Sequence, residues 1–235
     1  MGNYPSNNPT QGEVILIGFG PGDPDLLTVK AMKALRQADI IFYDALTNEA
    51  FLQTLPAEKV YVGKRCGRHH EEQEQINALL LEAAQKGKNV VRLKGGDPMV
   101  FAHAGEEISF LERNGIKTSV IPGITTALAL AAEAKVSLTY RGISSSVAFI
   151  NGHSSHPEAP IADTLVYYMG ASHLRTIAKE LIDAGRKAST PVLLAYNVSL
   201  PDEQFYHLTL GALLQSQVTY PTPLTVLVGE VISQK

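Results

Sequence analysis

From Val14 onward, short apolar runs alternate with longer stretches in which apolar residues recur every three or four positions, the pattern of strands alternating with helices. Strands are predicted at 14–17, 40–43, 60–62, 90–93 and 119–121. One helix follows Asp23-Pro24, or is capped by Thr28, and buries Leu27, Ala31 and Leu35. A second carries Ile76, Leu79, Leu80, Ala83 and Ala84 on one stripe and stops at Gly87; a third runs over 106–113 and ends at Asn114-Gly115. After Pro122-Gly123 the alternation begins again, with a small-residue helix over 126–134 and strands near 146–150, 165–168, 192–195, 206–209 and 225–228. Among these lies a helix with Leu174, Ile177 and Leu181, ended by Gly185. The reading is an α/β chain with largely parallel strands, built as two α/β domains (13–122 and 123–235) with a ligand cleft between them, behind a polar tail at 1–12.

Composition narrows the class. The 235 residues, 45% hydrophobic, suffice for one large domain or two compact ones with real cores. The single cysteine, Cys66, supplies neither a disulfide framework nor a zinc set, so a reducing, cytoplasmic setting is expected. No apolar run approaches the roughly 18 residues of a membrane span. A net charge of -3 argues against general nucleic-acid binding, so any basic patch is local. The histidines lack metal-ligand spacing, and no metal is assigned.

Gly18-Phe19-Gly20-Pro21-Gly22-Asp23 follows a strand and precedes a helix, where α/β proteins place nucleotide loops because residues without Cβ admit close approach. The dinucleotide fingerprint needs a small residue where Asp23 stands, and the common methyltransferase fold an acid where Leu16 stands. A dense basic segment, Lys64, Arg65, Arg68, His69 and His70, and the lone Arg141 are candidate anion clamps.

With these residues stand GFGPGDPDLLT (18–28), YDAL (43–46), GKRCGRH (63–69), VVRLKGGDPMVF (90–101), AGEE (104–107), PGITTA (122–127), LTYRGIS (138–144), NGH (151–153), LVYYMG (165–170) and TPLTVLVGEV (222–231). In that order the blocks resemble the tetrapyrrole (class III) methylases, across essentially the whole chain after the tail. The resemblance implies transfer of two methyl groups from S-adenosylmethionine to uroporphyrinogen III, giving precorrin-2 for sirohaem or cobalamin synthesis. It also implies a homodimer, with the methyl donor in the interdomain cleft.

The implied chemistry is an in-line displacement, which needs the nucleophilic carbon about 3–3.5 Å from the methyl group and a base for the proton that leaves the macrocycle. By the resemblance, Pro21, Gly95, Asp97, Val100, Phe101, Thr126, Ala127, Met169, Pro223 and Leu224 bind the donor, Asp97 accepting hydrogen bonds from its ribose or amino groups. Glu106 is the implied base and Asp44 belongs to the same site. Arg141 clamps a substrate carboxylate, and Lys64, Arg65 and His103 bind the eight-carboxylate acceptor with it. The chain departs from the family where Arg is common: Ala45 and His103 stand there, and Tyr140 stands where His is usual. A later precorrin is therefore an alternative acceptor. Two other classes remain open: a nicotinamide oxidoreductase, on the glycine turn with Asp39 or Asp44, and an anion-binding module built on residues 64–70.

Overall fold

The computed structural model describes residues 12–45, 47–63, 69–153 and 160–234, the side chains of 69–72 excepted. The chain divides into two compact units, Met1–Thr125 and Thr126–Lys235.

The first unit runs β1 (Glu13–Gly18), α1 (Val29–Gln37), β2 (Ile40–Tyr43), α2 (Glu49–Leu52), β3 (Glu58–Tyr61), α3 (His69–Gln85), β4 (Val90–Lys94), α4 (Ala104–Arg113) and β5 (Lys117–Ile121). Thr28 caps α1 by accepting the Ala31 N–H at 3.1 Å, and Asn48 caps α2 by accepting that of Phe51 at 3.0 Å. The five strands form one parallel sheet in the order β3-β2-β4-β1-β5. Strand alternation sorts the side chains to two faces. Ile17, Ile41, Val91 and Leu93 pack with Ala31 and Leu35 of α1 and Leu52 of α2. Val14, Leu16, Ile40, Phe42 and Val90 pack with Ile76 and Leu80 of α3 and Leu111 of α4. Each fully buried Leu or Ile contributes roughly 1.5–3 kcal/mol. Because the chain leaves β1 toward β2 and leaves β4 toward β5, the strand order reverses between β1 and β4. The crevice beyond the carboxyl ends of two such strands is where open α/β sheets bind ligands.

The second unit runs α5 (Thr126–Glu133), β6 (Val147–Asn151), β7 (Thr164–Tyr168), α6 (Leu174–Asp183), β8 (Pro191–Tyr196), β9 (Gln204–Thr209), α7 (Leu210–Gln215) and β10 (Leu224–Val228). Its sheet has the order β6-β7-β10-β8-β9. Leu165, Tyr167, Val192, Leu194, Val226 and Val228 from the strands pack against Leu174, Ile177 and Leu181 of α6 and Leu210 and Leu213 of α7.

Three expectations from the sequence need correction. Strands are parallel throughout the first sheet, but in the second only β6 and β7 are; β7–β10, β10–β8 and β8–β9 are antiparallel. The segment from Tyr196 to Gln204 is too short for a parallel crossover, which takes about a dozen residues or more, so β9 returns along β8. Leu79 lies on the solvent side of α3, 41% exposed, and Leu27 is only half-buried because α1 begins after it. The short helices α2 and α7 were not foreseen, being too brief for a helical period to show.

Candidate functional site

In the first unit, three backbone segments converge at the crevice. Beyond β1 and β4 the chain continues as a single bridge: the Gly20 N–H donates to the Gly96 carbonyl at 3.1 Å, and the Gly96 N–H to that of Gly20 at 2.7 Å. A Cβ on Gly18 would sit 2.5 Å from the Gly123 nitrogen, and one on Gly123 would sit 2.3 Å from the Gly96 oxygen, so the third segment, after β5, approaches the other two at positions that admit only glycine. Gly96 has φ +66°, and its Cβ position meets nothing nearer than 4.0 Å, leaving an open patch of backbone.

Asp97 ties this arrangement together. Its Oδ2 accepts the Gly123 N–H at 3.0 Å and its Oδ1 the Met99 N–H at 2.8 Å. Each carboxylate oxygen has a second lone pair for a ligand hydroxyl or amine. Gly95 and Val100 flank it half-buried, and Pro21 is half-buried on the β1 side. Phe101 presents its ring 41% exposed from a left-handed backbone, φ 55°. Asp23 accepts the Asp25 N–H as cap of the 3-10 turn Pro24–Leu26, a role different from the small packing residue of a dinucleotide loop.

His103, also left-handed at φ 56°, precedes α4, and its Nδ1 lies 3.0 Å from Glu106 Oε1 with both side chains well exposed. Neighbouring Glu107 is fully buried. Ala104, Glu107 and Leu111 are the buried residues of α4, at the i, i+3, i+7 spacing of one face, so the helix turns Glu106 to solvent and Glu107 to the sheet. There Arg92 and Lys94, alternating with Val90 on the same face of β4, meet it. Glu107 Oε1 accepts from Lys94 Nζ at 2.9 Å, Arg92 Nε at 3.3 Å and Gln73 Nε2 at 3.1 Å. Arg92 Nη2 continues to Asp44 Oδ2 at 3.5 Å, which places Asp44, at the end of β2, beside the cluster with a partly exposed side chain. Burial presses the Lys94 ammonium toward its neutral form, Arg92 adds to that push, and Glu107 opposes it.

The second unit gathers its own candidates. Val226 of β10 faces Tyr167 of antiparallel β7, so Met169 just past β7 and Leu224 at the start of β10 lie at the same end of the sheet. Met169 is 43% exposed on a left-handed backbone, φ 57°; Pro223 is exposed and Leu224 buried. Thr126 and Ala127 open α5, whose Ala127 N–H donates to the Tyr168 hydroxyl at 3.1 Å. The segment at Gly152 backs the Met169 turn, its N–H donating to the Tyr168 carbonyl at 2.7 Å. Arg141 is exposed in a turn closed by Tyr140 and Ser144, and no ion pair holds it among the described residues. Lys64 and Arg65 lie outside the described residues, as do Cys66 and Arg68.

Sequence reasoning singled out neither Glu107, Arg92 and Lys94 nor Tyr168. The signal for Glu107 was present, as a polar residue on the stripe of Ala104 and Leu111. Its partners, 13, 15 and 34 residues away, were not recoverable from local pattern.

Residues 13–214 match the model of the Tetrapyrrole (Corrin/Porphyrin) Methylases. The chain belongs to this family. Among solved structures, the chain is similar to a uroporphyrin-III C-methyl transferase from Thermus thermophilus complexed with S-adenyl homocysteine, with 40% identity, a TM-score of 0.85, and 95% of this chain and 100% of that one covered. A cobalt precorrin-4 methyltransferase involved in cobalamin biosynthesis is 28% identical with a TM-score of 0.81, covering 94% and 95%. A siroheme synthase of Actinobacillus pleuropneumoniae is 42% identical over 97% of this chain and 49% of its own length. The chain thus spans about half the length of the curated relatives it matches. The S-adenyl homocysteine complex is that of the Thermus protein.

Proposed function

We propose that this methylase transfers two methyl groups from S-adenosylmethionine to carbons of uroporphyrinogen III, giving precorrin-2 for sirohaem or cobalamin synthesis. The observation that carries the reading is the convergence of Gly18, Gly96 and Gly123 around Asp97 at the crevice of the parallel sheet. Its backbone approach, free of Cβ atoms and lined by Asp97 and Phe101, suits a small ligand with a ribose and an amino-acid end. Pro21, Gly95, Asp97, Val100 and Phe101 of the first unit, and Thr126, Ala127, Met169, Pro223 and Leu224 of the second, are assigned to the donor. Bound S-adenosylmethionine supplies an electrophilic methyl group, so the protein's task is positioning and proton removal.

Glu106 is assigned the proton that leaves the methylated ring. Its exposure gives that proton a path to water, and His103 orients its carboxylate through Oε1. Asp44, fixed by Arg92, stands as a second acid-base group. Arg141, Lys64, Arg65 and His103 are assigned to the acceptor carboxylates. Two departures, Ala45 and His103, favour a second reading in which the acceptor is a later precorrin, and the likeness to the cobalt precorrin-4 methyltransferase supports that alternative. We place the active enzyme in the cytoplasm as a homodimer; exposed Leu128, Tyr140 and Phe149 support a partner copy.

The test is methyl transfer from labelled S-adenosylmethionine to uroporphyrinogen III, later precorrins and a no-acceptor control, under anaerobic conditions, with products weighed by mass spectrometry. A doubly methylated uroporphyrinogen is expected. Label appearing only in a later precorrin selects the alternative, and no label in any acceptor removes the methylase reading of this site.

A further inference from the structure

Three observations meet at the buried cluster on β4. First, Lys94 Nζ donates to the Ala102 carbonyl at 2.7 Å as well as to Glu107, and Ala102 sits between Phe101 and His103, the two non-glycine residues of this loop held in the left-handed region. Each such residue costs about 1–2 kcal/mol, and a backbone of this kind persists only where its surroundings over-determine it. Second, Arg92 uses Nη1 on the Leu93 carbonyl at 2.8 Å and Nη2 on Asp44, so the same guanidinium that meets Glu107 fixes the Asp44 carboxylate. Third, among the described residues all three donors to Glu107 share Oε1, while Oε2 is buried with no partner.

A half-satisfied, fully buried carboxylate between two cations is a poor source of stability. Desolvation takes back most of the Coulomb gain, and apolar residues of the same volume often do as well or better. What the cluster does provide is geometry. Glu107 holds two cations apart on one face of β4, one reaching the loop at 95–103 and the other reaching the end of β2.

We infer that Lys94 and Arg92 are positioning residues with separate duties, Lys94 setting the Phe101–His103 turn against the donor and Arg92 setting the carboxylate of Asp44 for proton transfer. The inference rests on the donor and acceptor assignments proposed above.

Charge-balanced variants separate these duties from simple loss of fold. Glu107→Gln alone serves as reference; Lys94→Met/Glu107→Gln and Arg92→Met/Glu107→Gln each remove one cation together with one negative charge. Relative to the reference, the Lys94 double variant is expected to raise the KM for S-adenosylmethionine about tenfold or more with kcat within about threefold. The Arg92 double variant is expected to leave that KM within about threefold and to lower kcat about tenfold or more. A merely structural cluster would shift both parameters alike in both variants, and that result overturns the inference. So does failure of both double variants to fold, which would make the cations requirements of folding. Wild-type enzyme that methylates no tetrapyrrole and binds no S-adenosylhomocysteine in calorimetry overturns the underlying assignment instead, so the two failures are distinguishable.

Discussion

Asp97 and Gly123 join the loop after β4 to the end of β5: the carboxylate Oδ2 accepts the glycine N–H at 3.0 Å, across 26 residues of sequence. Because Oδ1 accepts the Met99 N–H as well, both oxygens serve as acceptors. An amide side chain would present an N–H to one of these donors. Asp97→Asn is therefore expected to weaken S-adenosylhomocysteine binding by about 1–2 kcal/mol, and Asp97→Ala by more. Titration calorimetry reads both, and an affinity unchanged in Asp97→Ala would remove Asp97 from the donor site.

Glycine replacements should sort by what a methyl group meets. Gly18→Ala places its Cβ 2.5 Å from the Gly123 nitrogen and 2.6 Å from the Gly96 oxygen, both backbone atoms that cannot swing aside. A loss of about 1–3 kcal/mol or more is expected from the denaturant midpoint. Gly105→Ala, in α4 with nothing within 4 Å, should instead stabilise by about 0.5–1 kcal/mol. Equal midpoints for the two variants would contradict the packing described at the crevice.

Arg141 stands in its turn with no competing carboxylate among the described residues, so its loss should be felt by an anionic acceptor and little by the fold. Arg141→Ala is expected to raise the acceptor KM about tenfold or more, with the melting temperature and donor affinity close to wild type. Acceptor kinetics indistinguishable from wild type would take Arg141 out of the site.

Alkaline stability should be limited in part by Tyr167. Burial in the second core, with Arg186 opposing and Glu180 adding to it, pushes its phenol up to about 12 from the usual 10. A group whose folded pKa is raised contributes stability that is complete below the unfolded value and drains away as pH rises through the folded one. Stability should therefore fall between about pH 10 and pH 12, and Tyr167→Phe should flatten that part of the curve. Chemical denaturation at stepped pH measures this, and identical slopes in the two proteins would show that other groups govern the decline.

The sequence was most legible where one face of an element is apolar and its period plain. All ten strands of the described residues fall where short apolar runs predicted them, because hydrophobic runs bounded by Gly, Pro and Asn leave few other choices. Strand direction in the second sheet was less legible, since an apolar run looks alike read either way and only the length of the segment after Tyr196 betrays the reversal. At the site, the glycines and Asp97 stood out because their residue types are demanding. Arg92 and Lys94 did not: in VVRLK they resemble the polar positions of a half-exposed strand, and only the phase of α4 shows that Glu107 turns inward to meet them.

The placement of β1 bears on how this protein is made. Glu13 of β1 ends beside Lys117 of β5 and, on its other side, Val14 pairs with Val90 of β4. At roughly 5–20 residues per second, a nascent chain leaves the ribosome with that strand waiting several seconds for both neighbours. Of its apolar VILI run, Ile15 and Ile17 face the side that α1 covers soon after synthesis, whereas Val14 and Leu16 face the side that waits for α3 and α4. Chains tethered at increasing lengths should accordingly resist protease only once β5 has cleared the exit tunnel, and earlier protection would mean that β1 first finds a different partner.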